Sequence, residues 1–299
     1  MQSIYSHIDQ NKRDTVVIIM LFIVIIGIIG YVVGEMYAGD GFFFMGFALI
    51  LSGISSFVSY YNSDKMVLAI SKAREVTYSD NPTLHNLVEN MCIAAGLPKP
   101  RVYMIEDTAM NAFATGRDPE HAVICFTSGI VSGLEKRELE GVVAHELSHI
   151  GNFDIRLLSI VSILVGTITL LADWVTRGMF YGRSRRDRDS SSINGIVLII
   201  GIAFLVLSPI IATLIKLAVS RNREFLADAS AALLTRYPKG LASALAKISA
   251  DQETLEAANG ATAHLYIENP LKGNHTSFFG NMFNTHPPVT ERIDRLLKM

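Results

Sequence analysis

The sequence predicts a mainly α integral membrane protein with about four transmembrane helices and a cytoplasmic α+β domain that contains a small sheet. Half of the 299 residues are hydrophobic and only 18% are charged, which is too apolar for an ordinary soluble domain. The apolar residues are concentrated in four stretches, each long enough, at about 1.5 Å per residue, to cross a hydrocarbon core about 30 Å thick. We therefore divide the chain into a transmembrane hairpin (1–61), a first soluble part (62–156), a second hydrophobic hairpin (157–219) and a second soluble part (220–299).

The first hairpin consists of the apolar stretches 15–33 and 41–61. Lys12 and Arg13 precede it and Lys65 follows it, whereas the loop between the two stretches has no Lys or Arg. The positive-inside rule therefore predicts that both ends of the hairpin lie in the cytoplasm. A signal peptide is the alternative, but the first stretch is longer than a typical signal-peptide core and no small-residue cleavage site follows it. We interpret the stretch as a retained anchor.

The second hairpin consists of stretches 157–175 and 195–219, and its topology is ambiguous. A four-span arrangement places the connecting loop 177–192 outside the cytoplasm, which contradicts the positive-inside rule because the loop is rich in arginine. Either the hairpin crosses the membrane despite these charges, or it is shielded by protein and does not fully cross. We favour crossing. The arginines are Arg177, Arg183, Arg185, Arg186 and Arg188.

The first soluble part carries alternating helix and strand patterns. Residues 81–96 read as a helix with Pro82 in its first turn and a glycine at its end. Short β-branched or aromatic segments at 101–105, 112–115 and 122–126 predict a small sheet. A further helix is expected to begin near Glu135.

That further helix contains the sequence H-E-x-x-H at residues 145–149. Positions four apart lie on one helical face, so His145 and His149 can bind one metal ion while Glu146 lies beside it to activate water. A chance match arises in roughly one chain in a hundred of this composition, and the competing interpretation is a surface helix with solvated histidines. The motif indicates a zinc hydrolase.

A third protein ligand is needed for a catalytic zinc site, and Glu224 is the candidate. Glu224 and Asp228 are four residues apart and project in the same direction, so Asp228 can accept the free ring N–H of a liganding histidine. The alternative is a solvated amphipathic helix beside Arg221 and Arg223; the presence of the H-E-x-x-H motif favours the metal site.

The predicted site lies close to the membrane surface. His149 precedes the third apolar stretch by eight residues, or about 12 Å of helix, and Glu224 follows the fourth by five, or about 7.5 Å. A hydrolase in this position can reach cytoplasmic segments of membrane proteins. The developing oxyanion of peptide hydrolysis also needs a donor, and His286, in a loop stiffened by two prolines, is the candidate.

Four separated motifs together resemble the HtpX-type bacterial membrane zinc metalloproteases, which are related to the CAAX prenyl endopeptidases. They are N-A-F-A-T-G at 111–116, A-H-E-L-S-H-I at 144–150, S-R-N-R-E-F-L-A-D at 220–228 and T-H-P-P at 285–288. The resemblance covers essentially the whole chain. It implies a zincin-like metalloprotease domain that binds one Zn²⁺ per subunit through His145, His149 and Glu224, with Glu146 as the catalytic carboxylate.

The resemblance also implies how substrate is held. Residues Asn111, Ala112, Phe113 and Ala114 would form an edge strand that pairs with an extended substrate backbone, and His286 would assist in the transition state. The family's role, cleavage of misfolded or damaged membrane proteins, comes from the resemblance alone. The resemblance implies a multi-pass protein of the bacterial cell membrane, and the positive-inside rule predicts that its active site lies on the cytoplasmic side.

Two other functions compete with this interpretation. A CAAX-type prenyl-protein endopeptidase would require a chamber built from more membrane helices than the four predicted here. A non-catalytic membrane scaffold would close a structural zinc site with four protein ligands and would not need Glu146. The net charge of −2 gives no reason to expect nucleic acid, so the expected partners are the lipid bilayer and membrane-protein substrates; no pattern indicates an oligomeric state.

Overall fold

Two long apolar helices begin the chain in the computed structural model, which describes residues 4–181, 220–271 and 287–299. Helix α1 spans Ile4–Ala38 and helix α2 spans Gly41–Ile70. Both are long and apolar enough to cross a membrane, and the side chains on their outer faces are exposed and apolar. The two spans predicted for the first hairpin are therefore confirmed as membrane-length apolar helices.

The two helices of the hairpin approach each other closely. A Cβ atom built on Gly30 would lie 2.5 Å from the Cβ of Ala48 and 2.9 Å from the carbonyl oxygen of Phe44. Only glycine fits at this contact, as is common where membrane helices pack backbone to backbone. At the loop, the carboxylate of Asp40 accepts a hydrogen bond from the Phe43 N–H and caps α2.

The predicted second hairpin is described only in part. Helix α5 (Lys136–Gly151) and helix α6 (Asp154–Tyr181) meet at an angle of 83°; by length and composition alone, α5 and the first part of α6 have the pattern of a broken span or a re-entrant loop. The described part of the chain thus holds two candidate spans, or three with this bent pair. The predicted span 195–219 and the arginine-rich loop lie outside the described residues, so the count of four stays a prediction.

A four-stranded mixed sheet forms one layer of the soluble part. Its strands are β1 (Arg74–Glu75), β2 (Arg101–Ile105), β3 (Ala112–Thr115) and β4 (Val123–Thr127), in the order β1-β2-β4-β3. The β2–β4 pair is parallel and the other two pairs are antiparallel. Strand β3 therefore lies at one edge of the sheet, as the resemblance implied. Strand β1 has two residues, too few to give a sequence pattern.

The first helix of the soluble part confirms the sequence prediction. Helix α3 spans Pro82–Ala95, the Asn81 side chain caps it by accepting the Leu84 N–H, and Gly96 ends it with φ of +67°. The fourth strand begins one residue later than predicted. The short turn Pro119–His121, capped by Asp118, extends the preceding loop up to Ala122.

Helix α5 lies at the centre of the soluble part. It follows the short helix α4 (Ser128–Gly133) and packs against α7 (Arg221–Thr235) and α8 (Pro238–Ala250), with α9 (Val289–Leu297) beside them. Gly141 allows the close crossing of α5 and α8, since a Cβ there would lie 2.8 Å from the Leu241 nitrogen. Most of α5 is buried, so its polar residues face other side chains rather than solvent.

The first turn of α5 is fixed by Glu138. Its carboxylate accepts the Glu135 N–H in a capping box, and it also accepts hydrogen bonds from Ser243 at 2.6 Å and Lys247 at 2.7 Å on α8. Burial alone would raise the pKa of Glu138, but the hydrogen bonds from Lys247, Ser243 and the Glu135 amide lower it. These contacts set the angle at which α5 enters the core.

Candidate active site

The H-E-x-x-H residues lie on the buried face of α5. His145, Glu146 and His149 are 1%, 2% and 7% exposed, which excludes the alternative of a solvated surface helix. The Nε2 atoms of the two histidines are 3.2 Å apart. Their rings meet edge to face with centroids 4.8 Å apart, an arrangement that directs both Nε2 atoms toward one point.

Helix α7 brings the third candidate ligand to the same point. The carboxylate oxygens of Glu224 lie 3.7 Å from His145 Nε2 and 3.5 Å from His149 Nε2, and ligand atoms of all three residues lie within 4.8 Å of one another. A tetrahedral zinc ion with bonds of about 2.0–2.1 Å would separate its ligand atoms by about 3.3 Å. The spacing and the donor set of two imidazoles and a carboxylate fit a zinc ion.

Carboxylates fix the other ring nitrogens of both histidines. Asp228 Oδ1 lies 3.1 Å from His145 Nδ1; the sequence indicated one of the two histidines as its partner without specifying which. His149 Nδ1 donates instead to Asp154 Oδ2 at 2.9 Å, a residue that the sequence analysis did not single out. A carboxylate on Nδ1 favours the tautomer in which Nε2 can bind a metal; His145 Nε2 also lies 3.4 Å from Arg292 Nη2.

A buried arginine from the last helix supports Asp228. Arg292 is 0% exposed and donates from Nε and Nη2 to the two oxygens of Asp228 at 2.9 and 2.7 Å. It also donates to the Ile267 carbonyl at 3.2 Å, and its Nη1 lies 3.5 Å from Glu224. Burial alone would raise the pKa of Asp228, but the hydrogen bonds from His145 and Arg292 lower it. Asp228 is therefore held as an anion.

The pKa values of the two histidines are shifted in opposite directions. Burial and the charge of Arg292 lower the pKa of His145, although the hydrogen bond to Asp228 acts to raise it. Burial alone would also lower the pKa of His149, but the hydrogen bond to Asp154 and the charges of Glu224, Asp154 and Glu146 raise it to about 9.

The candidate site opens into a pocket lined by Glu146, both histidines and residues of the segment 264–267. This segment also contacts the edge of β3. The Ile267 N–H donates to the Ala112 carbonyl at 3.0 Å, and the Asn111 amide donates to the Glu268 carbonyl at 3.0 Å. The predicted substrate strand 111–114 thus lies beside the site, with part of its edge paired to the chain itself.

Of the predicted site residues, His286 alone lies outside the described residues. Three buried polar residues at or near the site were missed by the sequence analysis. Asp154 follows the last histidine of the motif by five residues, and Asn11 lies on α1. Arg292 had a readable signal, because it occupies the apolar face of an amphipathic helix with Val289 and Leu296, and a charge on such a face indicates a buried partner.

Comparison with known proteins decides the family. The model of Peptidase family M48 matches residues 78–299, which include every candidate ligand. The chain belongs to peptidase family M48. It is 44% identical over 295 residues to a protease HtpX homolog of Dictyoglomus thermophilum, covering 99% of this chain and 94% of that protein. It is also 45% identical over 295 residues to one of Tropheryma whipplei (strain TW08/27), covering 99% and 98%.

A solved structure shares the fold. The crystal structure of S. mikatae Ste24p matches 93% of this chain with a TM-score of 0.51 at 18% identity, and the chain spans 62% of that structure's length. Together with the two membrane-length helices, the family membership makes this M48 protein a membrane metalloprotease of the HtpX type. Family membership also implies a bound metal, and the His145, His149 and Glu224 cluster is where the described residues can hold it.

Proposed function

We propose that this M48 protein is a zinc endopeptidase that cleaves misfolded or damaged membrane proteins at the cytoplasmic face of the bacterial cell membrane. The observation that carries the proposal is the buried cluster of His145, His149 and Glu224 beside Glu146, next to helices of membrane length. Both histidines have carboxylate partners on their second ring nitrogens, which is typical of functional zinc sites. The quality-control role rests on likeness to HtpX-type proteases.

The proposed chemistry divides between the metal and Glu146. A bound zinc ion would polarise the scissile carbonyl and lower the pKa of a water molecule. Glu146 accepts the proton of that water and returns it to the leaving amine. Glu146 is 2% exposed. Because little bulk water reaches its carboxylate, the proton that it accepts is not readily exchanged with solvent before it is passed to the leaving amine. His286 is proposed as the donor that stabilises the oxyanion.

The proposed substrate is an extended, unfolded segment of a membrane protein. Strand addition at 111–114 would direct such a backbone past the metal ligands. In the described conformation the Ala112 carbonyl accepts the Ile267 N–H, so a substrate strand must displace that hydrogen bond. A folded protein offers no free strand for this exchange, which favours damaged substrates over native ones.

The proposed cytoplasmic orientation rests on Lys12, Arg13 and Lys65 at the ends of the first hairpin. A cysteine at Asp40, in the hairpin loop, should react with an impermeant thiol reagent in intact cells. A cysteine at the exposed Gln10 should react only after the membrane is permeabilised. Cys92 and Cys125 are buried and give little background. Labelling of the Gln10 position in intact cells would reverse the proposed topology.

The decisive experiment replaces Glu146 with Gln in full-length, detergent-purified protein. We expect normal zinc content, because Glu146 is not a ligand, and loss of cleavage of unfolded casein by about 10²- to 10⁴-fold. Glu140→Gln is the matched control, since Glu140 lies on the same helix but is half-buried away from the cluster. Undiminished cleavage by Glu146→Gln would refute the mechanism, and absence of zinc from the unmodified protein would refute the metal assignment.

A further inference from the structure

One face of the first membrane helix is buried against the helix that follows the metal-binding motif. The face consists of Asn11, Thr15, Ile18 and Phe22, spaced by four, three and four residues, and each is at most 3% exposed. Ile18 and Phe22 pack in one apolar cluster with residues of α6 such as Leu157 and Val161. The apolar pairs fix the distance between α1 and α6, and they hold Asn11 at the end of the face nearest the candidate site.

Asn11 contacts the junction between α5 and α6. Its side-chain amide donates both of its protons, one to the Asn152 carbonyl at 2.9 Å and one to Asp154 Oδ1 at 2.7 Å. The junction is a tight turn in which Phe153 has φ of +60°, and the two helices meet there at 83°. Asn11 therefore bonds to both sides of the turn that sets the direction in which α6 leaves α5.

Asp154 connects Asn11 to the metal-binding cluster through hydrogen bonds. Its Oδ1 accepts the Asn11 amide and its Oδ2 accepts His149 Nδ1 at 2.9 Å. With one partner on each oxygen, the carboxylate plane has a defined rotation and the imidazole follows it. Asp154 is 2% exposed, so water does not replace either partner. Arg223 Nη1 lies 3.8 Å from Oδ1 and adds positive charge on the same side.

A second contact runs from α1 to the helix of the third ligand. Arg223 lies 3.9 Å from Asp14, one turn from Asn11, as well as near Asp154. Arg223 directly precedes Glu224 in α7. The same turn of α1 thus contacts both the carboxylate that supports His149 and the residue that precedes Glu224 in α7.

We propose that Asn11 is a positioning residue of the metal centre, which acts through Asp154 on His149 and so makes metal affinity depend on the seating of the first membrane helix. The inference rests on the proposed metal site. A packing role alone would be met by an apolar residue, as at Ile18 and Phe22. An asparagine that directs both amide protons at the α5–α6 junction instead constrains the orientation of a carboxylate.

The test compares Asn11→Leu, which keeps the branched shape and the number of heavy atoms but removes both donors, with Gln10→Ala, which removes an exposed amide one residue away. Both are made in full-length, detergent-purified protein. The zinc dissociation constant is measured by chelator competition, and the visible spectrum of the Co²⁺-loaded protein reports ligand geometry. We expect Asn11→Leu to weaken zinc binding about 10- to 100-fold and to shift the cobalt spectrum, whereas Gln10→Ala changes neither.

Kinetics and a double variant separate positioning from folding. At saturating zinc, Asn11→Leu should lower kcat for casein while KM stays unchanged. In an Asp154→Asn background it should weaken zinc binding little further, because the two residues act in series. If Asn11→Leu does not fold, Asn11→Ser should show the same loss of metal affinity.

Two results would overturn the inference. One is a zinc affinity within twofold of the unmodified protein together with an unchanged cobalt spectrum. The other is an equal further loss in the Asp154→Asn background, since this would mean that Asn11 acts independently of Asp154. Zinc binding by the unmodified protein distinguishes both results from failure of the proposed function, which would appear as no specific zinc binding at all.

Discussion

The two histidines of the site are held from opposite directions. His145 is supported by Asp228 and Arg292, which lie on α7 and α9 of the soluble part. His149 is supported by Asp154, at the start of α6, and through it by Asn11 of the first membrane helix. The supports of His145 thus lie on α7 and α9, whereas the supports of His149 lie on α6 and α1, two helices with long apolar stretches.

The largest effect is expected between the two histidines. Glu224 is close to both histidines, so Glu224→Ala should abolish stoichiometric zinc binding and cleavage together. Elemental analysis of the purified protein and a casein assay measure both. Glu291→Ala, at an exposed carboxylate of α9, is the control and should retain both. Full zinc content in Glu224→Ala would place the third ligand elsewhere.

The support of His145 can be disrupted by removing Arg292, the charge partner of Asp228. Arg292→Leu leaves Asp228 as a buried, uncompensated carboxylate, so we expect a loss of about 3–5 kcal/mol in the free energy of unfolding, measured on zinc-free protein. The double variant Arg292→Leu, Asp228→Leu removes both charges and should recover most of this stability. It should not recover metal affinity. If Arg292→Leu had the same free energy of unfolding as the unmodified protein, Arg292 would not be required to compensate the buried charge of Asp228.

A smaller effect is expected when one histidine support is neutralised. Asp228→Asn removes the anionic acceptor of His145 Nδ1 and should weaken zinc binding about 10- to 100-fold. Because Asp228 supports His145, whereas Asn11 acts through Asp154 on His149, a subsequent Asn11→Leu change should weaken zinc binding further, unlike in the Asp154→Asn background. Chelator competition measures both steps. If Asn11→Leu caused the same further loss of zinc affinity in the Asp228→Asn and Asp154→Asn backgrounds, the two histidines would not be supported separately.

The smallest effect is expected away from both histidines, at the start of α5. Glu138→Gln removes an ionised partner of Lys247 and should lower the free energy of unfolding by about 1–2 kcal/mol at pH 7. The lowered pKa of Glu138 means that its contribution is present above about 4.5, the value of an unperturbed glutamate, and is lost as the pH falls through the folded value. In urea unfolding, the difference in the free energy of unfolding between the variant and the unmodified protein should be smaller below pH 4 than at pH 7. If this difference is the same at both pH values, the ionised Glu138 carboxylate does not stabilise the start of α5.

Local patterns were predictable from the sequence, whereas contacts between distant segments were not. The spacing of His145 and His149, and of Glu224 and Asp228, is a property of one helix turn and needs no knowledge of the fold. The Asn81 cap and the Gly96 stop are equally local. Asp154 could be named only after the α5–α6 turn had shown which way α6 begins, and Asn11 only after α1 had been packed against it.

The edge of β3 shows a different limit on prediction. Its aromatic and β-branched residues predict a strand, and the resemblance predicts an edge, but pairing of the Ala112 carbonyl with Ile267 joins segments more than 150 residues apart. Loop 266–268 has no strand pattern of its own that would have indicated this partner. The second hairpin likewise stays a prediction, because its arginine-rich loop and fourth span lie outside the described residues.

The order in which the chain is synthesised has a consequence for the cell. Asn11 precedes Asp154 by 143 residues, and Arg292 follows Asp228 by 64. A ribosome therefore completes α1 first, the H-E-x-x-H helix midway and the last support of His145 only with α9. While the apolar helices are entering the membrane among other unfolded proteins, the newly made chain does not yet have its full set of contacts around the metal ligands. It is therefore least able to cut its neighbours during its own insertion.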